Sequence, residues 1–490
     1  MANLKQKSLK INYIMNIFLT MSSFIFPMIT FPYVSRVLLP TGTGKVAFAT
    51  SLIAYFNIFA QLGIPTYGVR TCAKVRDDRK KLTKVAHELL IINLIMNLLS
   101  YLVLVILLIK IPKLREEKNL YIIISCTIFL TSIGMEWIYK ALEQYTYITV
   151  RSLIAKIISL IFMFILVHEQ EDYIIYGGIT ILASSASNIF NFINVHKYID
   201  LKPLKKYDLK QHLRPIFVFF AMACATTIYT NLDTVMLGFM STNEDVGYYN
   251  AAVRIKTILV SIVTSLGTVL LPRSSYYVEH NMMDKFWQIS KKALNFVIII
   301  AFPMMIYFII YAKYGIYFLS GDAYHSSIIP MQIIMPTLIL IGITNILGIQ
   351  VLVPLGREKS VLVSVVMGAI INLAINSLLI VRFASVGAAI GTLVAEFVVL
   401  IIQYRALKDQ MRDAFKEIKY WKIIVSIFIS VIVSYWITYL NINVFFILLF
   451  TSISFFVSYF FLLFILKEKM IIEVICSISK KKTIRRDKIC

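Results

Sequence analysis

The sequence predicts an all-α, polytopic membrane protein with 14 transmembrane helices, on three observations. Hydrophobic residues make up 59% of the 490-residue chain, and its mean hydropathy is +0.78. A soluble domain is only roughly 45–50% apolar. Fourteen apolar spans recur, most near the roughly 20 residues that cross a hydrocarbon core. The connectors alternate between basic and nearly charge-free, and 38 of the 49 Lys and Arg fall on one side of that alternation. Excess Lys and Arg marks the cytoplasmic side of a membrane. Both termini are basic, so both are expected inside the cell, in keeping with an even number of spans.

The spans fall at about 11–35, 46–64, 86–109, 120–140, 151–167, 174–194, 215–240, 253–272, 293–312, 328–354, 360–381, 385–404, 423–440 and 444–466. The first follows Lys5, Lys7 and Lys10 and runs about 25 residues, Ile11 to Ser35, too long for the core of a cleavable signal peptide. Seven basic residues (65–85) separate spans two and three, two (140–151) lie between four and five, and six (195–214) between six and seven. Four (273–292) follow span eight, two (355–359) follow ten, six (405–422) follow twelve, and the tail carries eight. One loop of the other set, with Lys110, Lys113, Arg115 and Lys118, is a local exception. The last span, Val444 to Leu466, has no charge at all. The longest charge-poor loop, about Lys313 to Ser327, is some fifteen residues, so no soluble catalytic domain is hidden in the connectors.

The net charge of +23 would suggest nucleic acid in a soluble protein. Here topology and anionic inner-leaflet lipid account for it, and no nucleic acid is expected as a partner. Cys126 and Cys224 lie in apolar spans, and Cys72, Cys476 and Cys490 in basic segments, without metal-site spacing. A reducing compartment also disfavours disulfides. Gly42-Thr43-Gly44-Lys45 evokes a nucleotide loop, but no Gly stands five residues before Gly44, and Val46 replaces the Ser or Thr. His87-Glu88 lacks the second His of a zinc helix, position 91 being Ile91. No large external loop carries a run of acidic residues, as a membrane glycosyltransferase or polymerase would need. Transport is favoured over chemistry, with no catalytic residue, metal or cofactor.

The chain also looks duplicated. At an offset of 203, Gly44, Ala49, Arg70 and Val75 match Gly247, Ala252, Arg273 and Val278. At an offset of 213, Ile157, Ile158 and Leu160 meet Ile370, Ile371 and Leu373. Identity among aliphatic residues is cheap, and the shared loop rhythm of spans 1–6 and 7–12 is the better argument. Internal repeats in transporters place the substrate path at the interface of the halves.

Ionisable residues at hydrocarbon depth cost at least about 2.5–3.5 kcal/mol each and usually face a cavity or a partner. Glu396 lies near the middle of span twelve. Asp233 lies in span seven, about 12 Å from its outer end at ~1.5 Å per residue, within reach of Arg254 or Lys256 at the start of span eight. Lys156 sits one and a half turns into span five, and Arg36 ends span one beside Lys45 at the start of span two. The cations also have a bland reading, in which they snorkel to the interface. Glu136, Lys140 and Glu143 read as interfacial residues at an inner helix end. Asn57/Gln61, Asn93/Asn97 and Asn372/Asn376 are amide pairs four residues apart, hence on one helix face. Such pairs serve either as interhelical glue or as a polar lining for sugar hydroxyls.

A set of local sequences then carries a resemblance. Pro32-Tyr33-Val34-Ser35-Arg36-Val37-Leu38 leads to Gly44 and Ala47-Phe48-Ala49, then Leu62-Gly63-Ile64-Pro65-Thr66-Tyr67-Gly68-Val69-Arg70. Glu136-Trp137, Glu143, Tyr147-Ile148-Thr149-Val150-Arg151, Asp233, Gly247-Tyr248-Tyr249-Asn250-Ala251-Ala252 and Pro354-Leu355-Gly356-Arg357-Glu358 follow in order. Together they resemble the polysaccharide repeat-unit flippases of bacterial O-antigen and capsule pathways, in the multidrug/oligosaccharidyl-lipid/polysaccharide exporter superfamily. One departure is Leu39-Pro40-Thr41-Gly42-Thr43-Gly44, where Leu39 and Thr43 replace a Gly and a Tyr common in the family.

The resemblance implies two six-helix bundles facing a central cavity, assigned here to 1–200 and 201–410. Two added helices occupy 411–466, and 467–490 is a basic cytoplasmic tail. It implies a bacterial inner or plasma membrane location and an undecaprenyl-diphosphate-linked oligosaccharide as substrate, flipped by alternating access. Arg36, Lys156, Arg254 and Lys256 are the candidates to attract the diphosphate, and Asn372 and Asn376 to bind sugar. Asp233 and Glu396 are the candidates for coupling to a proton or sodium gradient. Implied partners are membrane lipid, a polysaccharide polymerase and chain-length machinery. The rival readings are an ion-coupled multidrug or metabolite exporter and a membrane sugar polymerase or ligase.

Overall fold

The computed structural model describes residues 9–204 and 206–473, and among them every regular element is a helix. The chain divides into two compact units, Met1–Asn250 and Ala251–Cys490. The first holds α1 (Leu9–Gln61), α2 (Ile64–Lys74), α3 (Arg79–Lys110), α4 (Pro112–Glu116), α5 (Lys118–Ile133), α6 (Glu136–Ala141), α7 (Tyr145–Leu166), α8 (Tyr173–Ile181), α9 (Asn188–Asn194) and α10 (Lys210–Met240). The division falls early in α11 (Asn243–Glu279). The second unit continues with α12 (Met283–Ile310), α13 (Ala312–Ser320), α14 (Ile328–Ile334), α15 (Thr337–Thr344), α16 (Glu358–Ala406), α17 (Lys408–Glu417), α18 (Tyr420–Tyr435) and α19 (Val444–Ile465). Among the described residues, eleven helices are long and apolar enough to cross a membrane, or twelve when one bent pair is taken as a single span. Cys476, Cys490 and most of the basic tail lie outside the described residues.

Several expected spans are joined, and one is broken. Spans one and two run together in the 53-residue α1. At about 1.5 Å per residue that is about 80 Å of helix, more than twice the hydrocarbon thickness. The helix is interrupted at Leu39 (φ 57°, ψ 178°), immediately before Pro40, because proline disfavours helical geometry in the residue that precedes it. Spans eleven and twelve likewise share α16, interrupted at Ala384 (φ 45°, ψ −122°). Span ten is instead bent by 44° between Asp322–Ile334 and Thr337–Leu352. Pro336 stands at that bend, where its ring and missing N–H break the ladder.

The helices are polar inward and apolar outward. On α7, Arg151, Ala155, Ser159 and Met163 recur every four residues and are buried, while Ile157, Ile161 and Ile165 form an exposed stripe. On α3 the buried face carries Asn93, Asn97 and Ser100, and the exposed face Leu98, Leu102 and Ile109. In water this distribution would leave a large apolar surface exposed. In hydrocarbon the apolar faces need no partner, and small or polar groups draw the helices together.

The matched glycines of the repeat meet each other in the first unit. A Cβ on Gly44 would lie 1.7 Å from the Asn243 carbonyl oxygen and 2.8 Å from the Gly247 nitrogen, and one on Gly247 would lie 2.1 Å from the Pro40 oxygen. The turn at Leu39–Gly44 thus packs backbone against backbone on the start of α11. That start is fixed by a capping box: Asp245 N–H donates to Thr242 Oγ1 at 3.1 Å, and Thr242 N–H to Asp245 Oδ2 at 3.4 Å. Gly44→Ala and Gly247→Ala are each expected to cost about 1–3 kcal/mol by overpacking, read as a lower unfolding temperature in detergent. Gly178→Ala, whose Cβ would meet only Ile123 at 3.7 Å, should leave that temperature unchanged.

Candidate functional site

In the first unit, Asp233 on α10 is 7% exposed. Its Oδ2 accepts a hydrogen bond from Tyr249 Oη on α11 at 2.6 Å. Lys156, half-buried on α7, donates from Nζ to Ser22 Oγ at 2.7 Å and Ser23 Oγ at 3.1 Å, both on α1. Arg36 is exposed, and its Nη1 donates to the Pro32 carbonyl one turn earlier at 2.6 Å.

In the second unit, Asn372 and Asn376 are buried one turn apart on α16, and Asn376 Nδ2 donates to Asn372 Oδ1 at 3.1 Å. Gly391 lies beyond the interruption at Ala384, and a Cβ there would come 2.0 Å from Asn376 Oδ1. The two segments of α16 therefore close on this amide pair. Glu396, 6% exposed, is on the second segment. Arg254 and Lys256 are half-buried on α11.

Three of the paired amides, Gln61, Asn93 and Asn97, tie helices together. Ser132 Oγ on α5 accepts from Gln61 Nε2 at 2.9 Å and Asn97 Nδ2 at 2.6 Å, joining α1, α3 and α5. Asn93 Nδ2 donates to the Ala60 carbonyl at 2.9 Å. Each bond of this kind contributes on the order of 0.6 kcal/mol between membrane helices.

Sequence reasoning left three polar clusters unassembled. Arg151, 7% exposed, pairs with Glu136 at 3.0 Å and donates to Ser187 Oγ at 3.0 Å and Asn188 Oδ1 at 3.2 Å. Glu136 also pairs with Lys140 at 2.9 Å, and Glu143 with Arg76 at 2.8 Å. The carboxylates expected at an interfacial helix end are therefore members of ion pairs. In the second cluster Glu88, fully buried, lies 2.9 Å from His212 Nε2 and accepts the Asp208 N–H at 2.8 Å. His212 Nδ1 is 2.8 Å from Tyr67 Oη, so α2, α3 and α10 meet in a Tyr–His–Glu chain. The third joins Lys45 to Glu117 at 2.6 Å, with Tyr173 Oη donating to Glu117 at 2.7 Å. Apart from Glu136 and Lys140, one helical turn from each other, the paired members stand 15 residues or more apart in the chain, where no local spacing announces them. Among the described residues no group of three or more His, Cys, Asp or Glu could hold a metal ion.

Comparison with known proteins then bears on most of the chain. The family described as polysaccharide biosynthesis protein matches residues 9–278. The chain belongs to that family. It is 24% identical over 403 residues to a protein of Escherichia coli (strain K12) named "Putative O-antigen transporter", covering 81% of this chain and 96% of that one. A Shigella dysenteriae protein of the same name is 22% identical over 398 residues, covering 79% and 97%. Among solved structures, the lipid II flippase MurJ in an inward closed conformation matches with a TM-score of 0.70 at 17% identity, covering 91% of this chain and 98% of that one. An inward-facing multidrug resistance MATE transporter matches at 0.58 and 13% identity, covering 81% and 99%. These likenesses establish a shared all-helical membrane fold.

His212→Leu is expected to lower stability by at least about 1–3 kcal/mol, because the buried Glu88 carboxylate loses a partner it cannot replace with water. Arg76→Gln, which breaks the half-exposed pair with Glu143, should cost under about 1 kcal/mol. Unfolding temperatures of the two variants, taken in the same detergent, make the comparison.

Proposed function

We propose that this protein flips undecaprenyl-diphosphate-linked oligosaccharide repeat units from the cytoplasmic to the outer leaflet by alternating access, for O-antigen or capsular polysaccharide. The observation that carries the reading is similarity over about four-fifths of this chain to proteins named as putative O-antigen transporters, 81% and 79%, together with a fold like that of the lipid II flippase MurJ. The physics agrees. Sugars and a diphosphate cannot cross hydrocarbon unaided, whereas the lipid tail never needs to leave it. Interruptions in α1 at Leu39 and in α16 at Ala384, with the bent pair taken as one crossing, support the expectation of fourteen crossings. With the basic connectors inside, both termini are cytoplasmic.

In this reading Arg36, Lys156, Arg254 and Lys256 attract the diphosphate, and Asn372 and Asn376 offer amide groups to sugar hydroxyls. Asp233 and Glu396 exchange a proton or a sodium ion to couple transport to a gradient. A polymerase and its chain-length partner take up the product at the outer leaflet.

The test is to delete the gene and measure, with an externally added glycan-cleaving probe, which leaflet holds the lipid-linked oligosaccharide. Inner-leaflet accumulation with loss of surface polysaccharide is expected, restored by the wild-type chain. Arg254→Ala with Lys256→Ala should restore tenfold less. Normal delivery to the outer leaflet together with raised drug sensitivity would replace this reading with a multidrug exporter. Asp233→Asn with Glu396→Gln is expected to abolish the dependence of transport on pH and ion gradients. If that dependence survives in the double variant, the two carboxylates are not the coupling groups.

A further inference from the structure

At the basic end of the second unit, the first turns of α12, the joint between α17 and α18, and the segment after α19 enclose a cavity of about 530 Å³. Six lysines and four carboxylates line it. Three of the carboxylates are already paired: Glu417 with Lys291 at 2.7 Å, Glu473 with Lys292 at 2.8 Å, and Glu468 with Lys422 at 3.6 Å. Lys419, Lys467 and Lys469 have no carboxylate within ion-pair distance among the described residues, and Asp284 is the one lining carboxylate left to offset them. The cavity is therefore net cationic.

Lys422 shows that the site is built into the fold and is more than a cluster of surface lysines. It lies in the first turn of α18 and is only 6% exposed. Its Nζ donates to the Lys467 carbonyl at 2.8 Å. Lys467 adopts a left-handed φ of 52°, a conformation a side-chain-bearing residue takes at a cost, and that carbonyl receives the buried ammonium.

The helices that carry the cavity are otherwise lipid-facing. Trp421, Ile424 and Phe428 on α18 are 56%, 53% and 66% exposed, and Phe461 and Ile465 on α19 are 61% and 55% exposed. A cationic recess beside exposed apolar helix faces matches a molecule with an anionic head and acyl chains. Basic pockets between helices on the cytoplasmic side bind such heads.

We propose that this cavity binds the phosphate-bearing headgroup of an anionic glycerophospholipid of the inner leaflet, with its acyl chains lying along α18 and α19. The leaflet assignment rests on the basic connectors facing the cytoplasm, whereas the binding itself does not depend on transport. The lipid therefore holds the last two long helices against α12 at a place none of the candidate transport residues occupies.

The test uses the full-length protein purified in an uncharged detergent, with its unfolding temperature followed as lipid is added. Phosphatidylglycerol should raise it saturably, phosphatidylcholine should not, and the rise should shrink with added salt. Inorganic phosphate separates the two sources of the same chemistry. If it raises the temperature as well as phosphatidylglycerol does, the ligand is a soluble phosphate and the lipid assignment fails. Lys419→Gln with Lys467→Gln removes two exposed lysines that no side-chain ion pair uses. At about fivefold per lysine, the double variant should bind phosphatidylglycerol roughly twenty-five-fold more weakly, with its unfolding temperature in phosphatidylcholine unchanged. Equal shifts with both lipids, or an undiminished shift in the double variant, would overturn the proposal. Loss of flipping without loss of this binding would count against the transport reading alone.

Discussion

Hydrocarbon offers polar groups no alternative partner, and most of this structure follows from that constraint. A backbone amide left without a bond inside a bilayer costs several kcal/mol, so the described chain is helical wherever it is apolar. The same constraint reaches the side chains. Ser159 and Thr392 return their hydroxyls to the carbonyls four residues earlier, at 2.8 and 3.1 Å. Amides such as Asn93 and Asn97 reach a neighbouring helix or the carbonyl one turn back. Association between helices then rests on small residues and hydrogen bonds, because exchanging lipid for leucine gains almost nothing.

Close backbone approach is the second consequence. Where Gly44 and Gly247 meet, no side chain separates the two turns. Where Gly391 faces Asn376, the missing Cβ leaves room for an amide that would otherwise be crowded out. Glycine contributes here by what it omits, and its low helix propensity is tolerated because unfolding the backbone in lipid costs far more.

Charge is distributed by the same logic. The carboxylates of Glu88 and Glu136 lie beside cationic or imidazole partners and take up further donors. Asp233, deeper in its span, is met by a tyrosine hydroxyl. Glu136, locked in a salt bridge with Arg151 at 3.0 Å, is committed to structure.

The sequence by itself determined the membrane class, the helical content and the alternation of basic connectors. It also marked the rare polar residues inside apolar spans, Asp233, Glu396 and the Asn372/Asn376 pair among them. These are local properties: a span's apolarity, and a pair's spacing on a helix face, are written in neighbouring residues. Helix ends were less legible, because α11 begins at a capping box well before its apolar run and α1 passes through two spans before Gln61 ends it. Pro40 and Pro336 were visible, but whether a proline interrupts, bends or merely decorates a membrane helix depends on what packs around it. The partners of the charged groups were decided only by tertiary structure. Glu88 and His212 stand 124 residues apart, Arg76 and Glu143 67 apart, and Lys156 and Ser22 134 apart. No periodicity encodes such pairings, because they arise when separately formed helices pack and each buried charge takes the partner that packing brings within reach.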